Sequence, residues 1–312
     1  MVDSRAGVIG LIVGDAMGVP LEFYKREILM QNPTTEMKGY GSHDVPKGSW
    51  SDDSSMTLAT MDAIIKDGCI NYNTIATNFL EWMKNAKYTP TDRVFDIGRT
   101  CLRGIAKFES KQEVAEKCGG TSEMDNGNGS MMRILPLIYY CYSKNMNEKE
   151  VYDIVKNVSS ITHGHEISIM GCFIYVMYGI ELLNNRNLVQ AYKKIKKIKY
   201  NTYFSEETIN RYERILKKNI DKYSLDEIKS TGFIIDTLEA TLWVLLNTNS
   251  YNQSIIGAIN LGNDTDTVGA CVGGLAGIYY EFENINRTWQ SDLLKYDYIV
   301  DLCNKFNDVL NS

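Results

Sequence analysis

Apolar residues recur at helical spacing along most of this chain. Four such stripes comprise Leu58, Met61, Ile64 and Ile65; Phe79, Leu80 and Met83; Leu102, Ile105 and Ala106; and Val151, Ile154, Val155 and Val158. Steps of three and four residues place each set on one face of an α-helix. The period-two alternation typical of strands hardly occurs, and the Asn-Gly dipeptide at 126–127 has polar flanks, which argues against a hairpin there. The pattern predicts an all-α fold.

The turn-forming residues predict how these helices are divided. All five prolines lie at or before position 136, so long uninterrupted helices are expected in the remaining 176 residues. Glycine and other turn formers cluster at 14–20, 39–51, 119–130 and 262–277. We find no convincing linker and no repeat, so we predict one domain over 1–312. The polar segment 199–231 is interpreted as a flexible insertion or a cap.

Composition narrows the class of protein. The 312 residues are 44% hydrophobic and 23% charged, as in soluble globular proteins, and the net charge of −6 argues against general binding of nucleic acid or anionic membranes.

The apolar runs at 8–13 and 172–180 fall short of the roughly 18 residues that a membrane span requires, so no transmembrane helix is predicted. Residues 1–5 lack a secretory-signal pattern, and a cytoplasmic location is expected. The seven cysteines, an odd number without CxxC spacing, are interpreted as reduced thiols.

Two acidic segments are the strongest candidates for a reactive site. The first contains Asp264, Asp266 and Thr267 at a predicted helix start, where Asp or Thr would also serve as the N-cap. The small residues within 269–277 would let this helix approach its neighbours closely. On its own, such a segment is more typical of an ordinary capping turn.

The second acidic segment, Ser51, Asp52 and Asp53, opens the helix that carries Leu58 and Met61. Adjacent side chains on a helix diverge by about 100°, so each aspartate could serve a different ion, although acids at a helix start also complement the helix dipole. If both segments converge, four carboxylates share one site without Lys or Arg in either motif, and two divalent cations would cancel that charge. Hard oxygen donors favour Mg²⁺ or Mn²⁺ over Zn²⁺.

A glycine-rich turn at 127–133 is a candidate anion site. Free backbone N–H groups at such a turn bind phosphate oxygens, and glycines permit close approach, so a phosphorylated ligand is indicated. The turn is predicted to lead into a helix over 131–142. The alternative is a plain junction in which Arg133 forms a structural ion pair.

Two of the three histidines, His163 and His165, precede a predicted apolar helix over 167–183. Histidines two residues apart in a turn face one ion less easily than partners four apart on a helix. We therefore expect one of them to hydrogen-bond a ligand rather than bind a metal, with capping or core positions as the alternative.

Glu22 follows a turn within an otherwise apolar stretch. Burial there would raise the pKa of its carboxyl group and suit it to proton transfer. A glutamate that reaches solvent from a loop is the alternative.

Six segments, in this order, resemble motifs of the ADP-ribosylglycohydrolase family, which includes the dinitrogenase-reductase-activating glycohydrolases and the ADP-ribosyl-acceptor hydrolases. They are GDAMGVPLEF at 14–23, KGSWSDDSSM at 47–56, FDIGRT at 95–100, GNGSMMR at 127–133, THGHE at 162–166 and NDTDTVGACVGGLAG at 263–277. Their joint occurrence is far more specific than any one of them. The resemblance implies a compact single-domain helical bundle around a binuclear magnesium or manganese centre. It also implies hydrolysis at the anomeric carbon of ADP-ribose, which releases an acceptor such as an Arg or Ser side chain.

The same resemblance implies a site. Two Mg²⁺ or Mn²⁺ ions would engage the ribose 2′ and 3′ hydroxyls, with ligands Ser51, Asp52, Asp53, Asp264, Asp266 and Thr267. ADP-ribose would be bound at its pyrophosphate by Gly127, Asn128, Gly129, Ser130 and Met131, and at its nucleotide or phosphate side by His163. The catalytic residues would be Glu22, Asp96 and Asp266. Glu22 matches a family glutamate tied to catalysis or to gating of the cleft, and Asp96 matches an acid with a proton-transfer role in some branches. Loss of Asp266 should abolish turnover.

Two positions depart from the family pattern. Ser51 and Ser54 stand where threonine is commoner, and their hydroxyls are retained. Asn263 stands where a small residue is commoner, which would reshape the acceptor side. The expected partners are ADP-ribose and an ADP-ribosylated acceptor, with nucleic acid expected only as a modified acceptor and no membrane; the oligomeric state is left open.

Three other functions can be weighed. A non-catalytic ADP-ribose-binding protein is disfavoured because all the expected acids are present. An HD-type metal phosphohydrolase would place His43 and Asp44 on a helix, whereas the composition of 39–46 predicts a loop. A terpenoid synthase would need the third acid of DDxxD, which the segment at 52–56 lacks.

Overall fold

The chain folds as a bundle of α-helices, and the computed structural model describes all residues 1–312. The helices are α1 (Arg5–Gly18), α2 (Arg26–Gln31), α3 (Asp52–Asp67), α4 (Tyr72–Asn85), α5 (Arg99–Glu109), α6 (Leu135–Ser143), α7 (Glu148–Ser159), α8 (Glu166–Asn185), α9 (Leu188–Ile195), α10 (Glu206–Arg211), α11 (Glu213–Leu216), α12 (Ile234–Asn247), α13 (Tyr251–Ile259), α14 (Thr265–Tyr280), α15 (Arg287–Asp292) and α16 (Tyr296–Leu310). There is no strand, and β-type pairing is confined to isolated bridges between Gly120 and His163 and between Gly127 and Phe233. The predicted all-α class is confirmed.

The four predicted apolar stripes lie on α3, α4, α5 and α7. Most of their members are buried in one contiguous core that runs from Val8 to Leu310. Leu102 and Ala106 on α5 are exposed; the side chain of Leu102 is 43% exposed and lines the cleft described below.

Helices α1 and α14 form the centre of the bundle, antiparallel and in very close contact. A Cβ atom added at Gly14 would lie 2.0 Å from the carbonyl oxygen of Gly269, and one added at Gly273 would lie 2.2 Å from that of Gly10. Only glycine permits this approach of two backbones, since any side chain would overlap a carbonyl group. The contact brings the C-terminal end of α1 beside the N-terminal end of α14, where Thr265 donates from Oγ1 to the carbonyl oxygen of Gly18 at 2.8 Å.

Helix α8 is the one helix long and apolar enough to cross a membrane. It has 20 residues, with a mean hydropathy of 1.5 over an 18-residue window of which 72% is buried inside the bundle. The sequence-based expectation missed it because Ser168 and Gly171 interrupt its apolar run. Such burial is typical of the core helix of a globular protein, which passes the same test of length and composition.

The polar segment 199–231 is built from short helical turns that pack on α8 and α12. Its aromatic residues Tyr200, Phe204 and Tyr212 are buried. Ser205 and Thr208 donate hydrogen bonds to Glu166 in the first turn of α8. The segment is therefore anchored to the helix that follows the histidine motif.

Six of the seven cysteines are buried, Cys69 is exposed, and none forms a disulfide. This agrees with their interpretation as reduced, mostly buried thiols.

Candidate active site

The N-terminal end of α3 is organised by an aspartate of another helix. Asp15, fully buried in the last turn of α1, accepts hydrogen bonds from the N–H groups of Ser51 and Ser54 at 3.0 Å and from the Ser54 hydroxyl at 2.5 Å. Ser51 is the N-cap of α3, and its Oγ donates to Asp53 at 2.7 Å. Asp15 thus satisfies helix-terminal N–H groups and fixes the direction of the acids that follow. Burial raises the pKa of Asp15 to about 6, and its hydrogen bonds to Ser54 and Ser51 oppose the rise.

The two acidic segments of the sequence meet at this point. Carboxylate oxygens of Asp15, Asp53 and Asp266 lie within 4.8 Å of one another, and so do those of Glu22, Asp264 and Asp266. Asp266 belongs to both groups. The acids therefore form two adjoining clusters that share one carboxylate.

Two oxygens in these clusters have no partner within the protein. Asp53 Oδ1 and Asp266 Oδ2 are buried and accept no hydrogen bond. None of the clustered aspartates forms a salt bridge. Burial raises the pKa of Asp53 and of Asp266 well above the usual value, and the neighbouring acids add to both shifts. Orphaned carboxylate oxygens without a cationic side chain fit hard divalent cations such as Mg²⁺ or Mn²⁺.

Asp52 and Thr267 complete the predicted ligand set. Asp52 is 5% exposed and faces the cleft, and burial, followed by Asp96 and Asp53, raises its pKa well above the usual value. Asp52 belongs to neither three-carboxylate cluster. Thr267 also faces the cleft, and its Oγ1 donates to Asp53 at 3.4 Å.

A cleft of about 820 Å³ opens above the acids, a size typical of small-molecule sites. Among the predicted site residues, those lining it are Glu22, Asp52, Asp96, Gly127, Asn128, Gly129, His163, Asp264 and Thr267. Ser51, Asp53 and Asp266 are buried beneath it. Ser130 and Met131 do not line it, since both are fully buried.

The glycine-rich turn forms one wall of the cleft but not in the predicted way. Helix α6 begins at Leu135, so the prediction that the turn leads into a helix at Met131 is wrong. Residues 128–132 form tight turns closed by hydrogen bonds to the Asn128 carbonyl, and Pro136 instead lies in the first turn of α6. The N–H groups of Gly129 and Ser130 have no acceptor in the protein. The side chain of Asn128 donates to Asp264 at 2.6 Å and so joins this turn to the acidic cluster.

Arg133 forms no ion pair, which overturns that alternative for the turn. It is fully buried, donates to Thr162 Oγ1 at 2.6 Å and places its guanidinium 4.6 Å from the centre of the Phe79 ring. It anchors the turn to the loop that carries His163.

The two neighbouring histidines have different surroundings. His163 is 2% exposed and lines the cleft, and its Nδ1 lies 2.8 Å from Thr162 Oγ1. Burial, with a smaller contribution from Arg133, lowers the pKa of His163 to about 3, so the ring is neutral at physiological pH. His165 is the N-cap of α8 and accepts from the N–H of Ile167. The ring facing the cleft is thus that of His163.

Glu22 and Asp96 approach each other on the opposite wall. Glu22 is 5% exposed, which excludes the solvent-reaching alternative. Burial raises its pKa to about 7; Asp96 and Asp264 add to the rise, while the hydrogen bond with His43 opposes it. Asp96 has a left-handed backbone, with φ of 51°, and burial also raises its pKa.

Sequence reasoning missed Asp15 and His43. The signal for Asp15 was an aspartate inside an otherwise apolar helix. His43 was considered only for an HD-type site, but it lies with Asp44 in a turn and not on a helix. Its imidazole instead bonds to Glu22.

The chain is similar over most of its length to a known protein family and to several known proteins. The family model described as ADP-ribosylglycohydrolase matches residues 3–312. An ADP-ribosylarginine hydrolase, Tri1, of Serratia proteamaculans (strain 568) is 28% identical over 96% of this chain and 77% of its own. An ADP-ribosyl-[dinitrogen reductase] glycohydrolase of Rhodospirillum rubrum is 28% identical over 91% and 88%. A solved structure titled ADP-ribosylglycohydrolase-related protein complex shares the fold, with a TM-score of 0.81 and 23% identity over 99% of this chain and 98% of that one.

Proposed function

Because the chain belongs to the ADP-ribosylglycohydrolase family, we propose that it is a metal-dependent hydrolase that removes ADP-ribose from a modified acceptor. Water adds to the anomeric carbon of the distal ribose, the bond to the acceptor breaks, and the acceptor leaves with a proton. The products are free ADP-ribose and the unmodified acceptor.

The observation that carries this proposal is the convergence of two acidic segments on one cleft. Asp53 and Asp266 each hold a buried oxygen without a protein partner, and Asp266 is shared by both carboxylate clusters. Such an arrangement is costly for folding unless cations occupy it, because several buried like charges lie within a few ångströms.

Two divalent cations would be held by Ser51, Asp52, Asp53, Asp264, Asp266 and Thr267, with Asp15 positioning the N-terminal end of α3. When bound, they would supply positive charge that orients the vicinal ribose hydroxyls. Asn128 donates to Asp264 and keeps that carboxylate directed at the cleft.

Glu22 is the proposed proton-transfer group. Its carboxyl group lines the cleft beside Asp96, and burial raises its pKa above the usual value, which suits it to accept a proton from water or to donate one to a leaving group. Asp96, on the same wall, is the second acid of the site. The acceptor side is proposed to lie here, beside Asn263.

The opposite wall is proposed to bind the nucleotide half of the ligand. The free N–H group of Gly129, which lines the cleft, suits the pyrophosphate, whereas Ser130 and Met131 are fully buried and do not line the cleft. The neutral ring of His163 can hydrogen-bond the nucleotide without adding charge.

The remaining parts of the proposal concern the domain organisation, the location in the cell and the acceptor. Residues 1–312 act as one domain, with 199–231 as a cap against α8. A cytoplasmic location suits six buried cysteines without a disulfide. An arginine side chain is the first acceptor to test, because the relative from Serratia proteamaculans is named an ADP-ribosylarginine hydrolase; serine and nucleobase acceptors are the next.

The test is a panel of ADP-ribosylated acceptors, including arginine, serine and nucleic acid, assayed for ADP-ribose release with Mg²⁺ and with Mn²⁺. We expect release from at least one acceptor, with a fall to a measurable residual rate in Glu22→Gln and a comparison against Asp96→Asn to rank the two acids. Tight binding of ADP-ribose by calorimetry without release from any acceptor would instead support a non-catalytic ADP-ribose-binding protein.

A further inference from the structure

His43 lies at the junction of three loops that surround the Glu22 wall of the cleft. It belongs to a turn at 40–45 that is closed by a hydrogen bond of 2.7 Å from Tyr40 N–H to the Val45 carbonyl. Ser42 anchors this turn to the Glu22 loop, because its N–H donates to the Pro20 carbonyl at 3.2 Å and its hydroxyl donates to the Glu22 carbonyl.

The same turn is also joined to the loop that carries Asp96. Arg93 donates from Nη2 to the Asp44 carbonyl at 3.0 Å. The His43 ring is flanked by Phe95 at 5.1 Å and Phe23 at 6.0 Å between ring centroids. Phe95 precedes Asp96 in the chain and Phe23 follows Glu22, so one ring from each loop restricts the movement of the imidazole.

The imidazole makes the only side-chain hydrogen bond to the Glu22 carboxylate. His43 Nε2 lies 2.5 Å from Glu22 Oε2. A ring nitrogen of His43 and one carboxylate oxygen each of Glu22 and Asp96 lie within 4.8 Å of one another. The His43 side chain is only 14% exposed, so water competes little for this contact. Without the imidazole, the Glu22 side chain would keep its buried stem but lose the group that fixes its carboxylate.

The geometry points to His43 as a positioning residue, which holds the carboxylate of Glu22 beside Asp96 so that the hydrolysis proposed above proceeds. This inference rests on the proposed function and adds to it a residue outside the six family-like segments. His43 does not line the cleft, so it acts through Glu22 and not on the ligand.

The test compares His43→Ala, His43→Gln and the neighbouring control Asp44→Ala, whose exposed side chain has no contact with the cleft. The substrate is whichever acceptor the wild-type protein cleaves fastest. Loss of positioning should lower kcat of His43→Ala by about 10²-fold with little change in KM. His43→Gln, whose amide N–H can reach the same carboxylate oxygen, should recover most of the rate, and Asp44→Ala should match the wild type.

A double-mutant cycle separates positioning from a general structural effect. If His43 acts through Glu22, adding His43→Ala to Glu22→Gln should cause no further loss of kcat. ADP-ribose affinity by calorimetry should stay unchanged in every variant. The inference would be overturned by wild-type kcat in His43→Ala or by a kcat of His43→Gln as low as that of His43→Ala. It would also be overturned if His43→Ala lowered kcat in the Glu22→Gln background as much as it does in the wild type. If His43→Ala fails to fold, His43→Leu, which fills the same space but has no N–H group, replaces it and should show the same loss of kcat; wild-type kcat in His43→Leu would overturn the inference. A wild-type protein that cleaves no acceptor contradicts the proposed function instead.

Discussion

Thr267 donates a hydrogen bond from its hydroxyl to the Asp53 carboxylate at 3.4 Å, across 214 positions of sequence. This contact joins the first turn of α14 to the first turn of α3. Both turns carry acids, and both are brought together by the glycine-mediated contact of α1 with α14. The proposed activity depends on this convergence.

Replacing Asp266 with Ala should abolish ADP-ribose release and leave the helical content intact. Asp266 is the carboxylate shared by the two clusters, so its loss removes oxygens from both. Activity assays and far-UV circular dichroism measure the two effects. The control is Asp153→Ala, which replaces an exposed aspartate on α7. Activity of Asp266→Ala equal to that of the wild type would contradict the proposed site.

Replacing Gly14 with Ala should lower the free energy of unfolding by about 1–3 kcal/mol, because the new methyl group overlaps the Gly269 carbonyl and forces α1 from α14. Urea denaturation measures the change. Gly257→Ala is the matched control, since its added Cβ would meet only ordinary contacts of 3.6 Å or more. It should be neutral or slightly stabilising. Equal stability of the Gly14 and Gly257 variants would contradict the close contact.

Acid should destabilise the protein through His163. The pKa of this histidine is about 3 in the folded chain against 6.5 in the unfolded chain. Between those values the unfolded chain binds a proton that the folded chain does not, so the contribution of His163 to the free energy of unfolding falls as pH drops below 6.5, while buried acids with raised pKa values, such as Glu22 and Asp15, contribute in the opposite direction. The stability of the wild type relative to His163→Gln should therefore fall in denaturation experiments from pH 7 to pH 4. A relative stability that does not change over this range would show that the ring is not held neutral.

The sequence alone anticipated the fold class and both acidic helix starts. Ser51 caps α3 with its side chain, as capping preferences indicate, whereas Asp264 precedes α14 without a capping hydrogen bond; the small residues of 269–277 lie at a close helix contact. Local patterns suffice here because helix periodicity and capping depend on neighbouring residues. The helix start at Leu135 was misplaced because residues 131–133, although compatible with a helix, form turns before Pro136.

Residues that act through tertiary contacts were not predictable in this way. Asp15 stands out locally as an aspartate in an apolar helix, but its role was not predictable because its partners Ser51 and Ser54 lie more than 35 positions away. His43 meets Glu22 only because a turn folds back over the loop at 20–22. The roles of Ser130 and Met131 were assigned from a motif, and burial keeps their side chains from the cleft.

Titration of chelator-treated protein with Mn²⁺, read by calorimetry and by ADP-ribose release, tests the central claim most directly. We predict binding of two ions, a rise in melting temperature as they neutralise the buried carboxylates, and activity that returns with occupancy. Asp53→Asn and Asp266→Asn should each reduce the binding. Full hydrolysis in the presence of chelator, with no Mn²⁺ bound by the wild-type protein, would contradict the account.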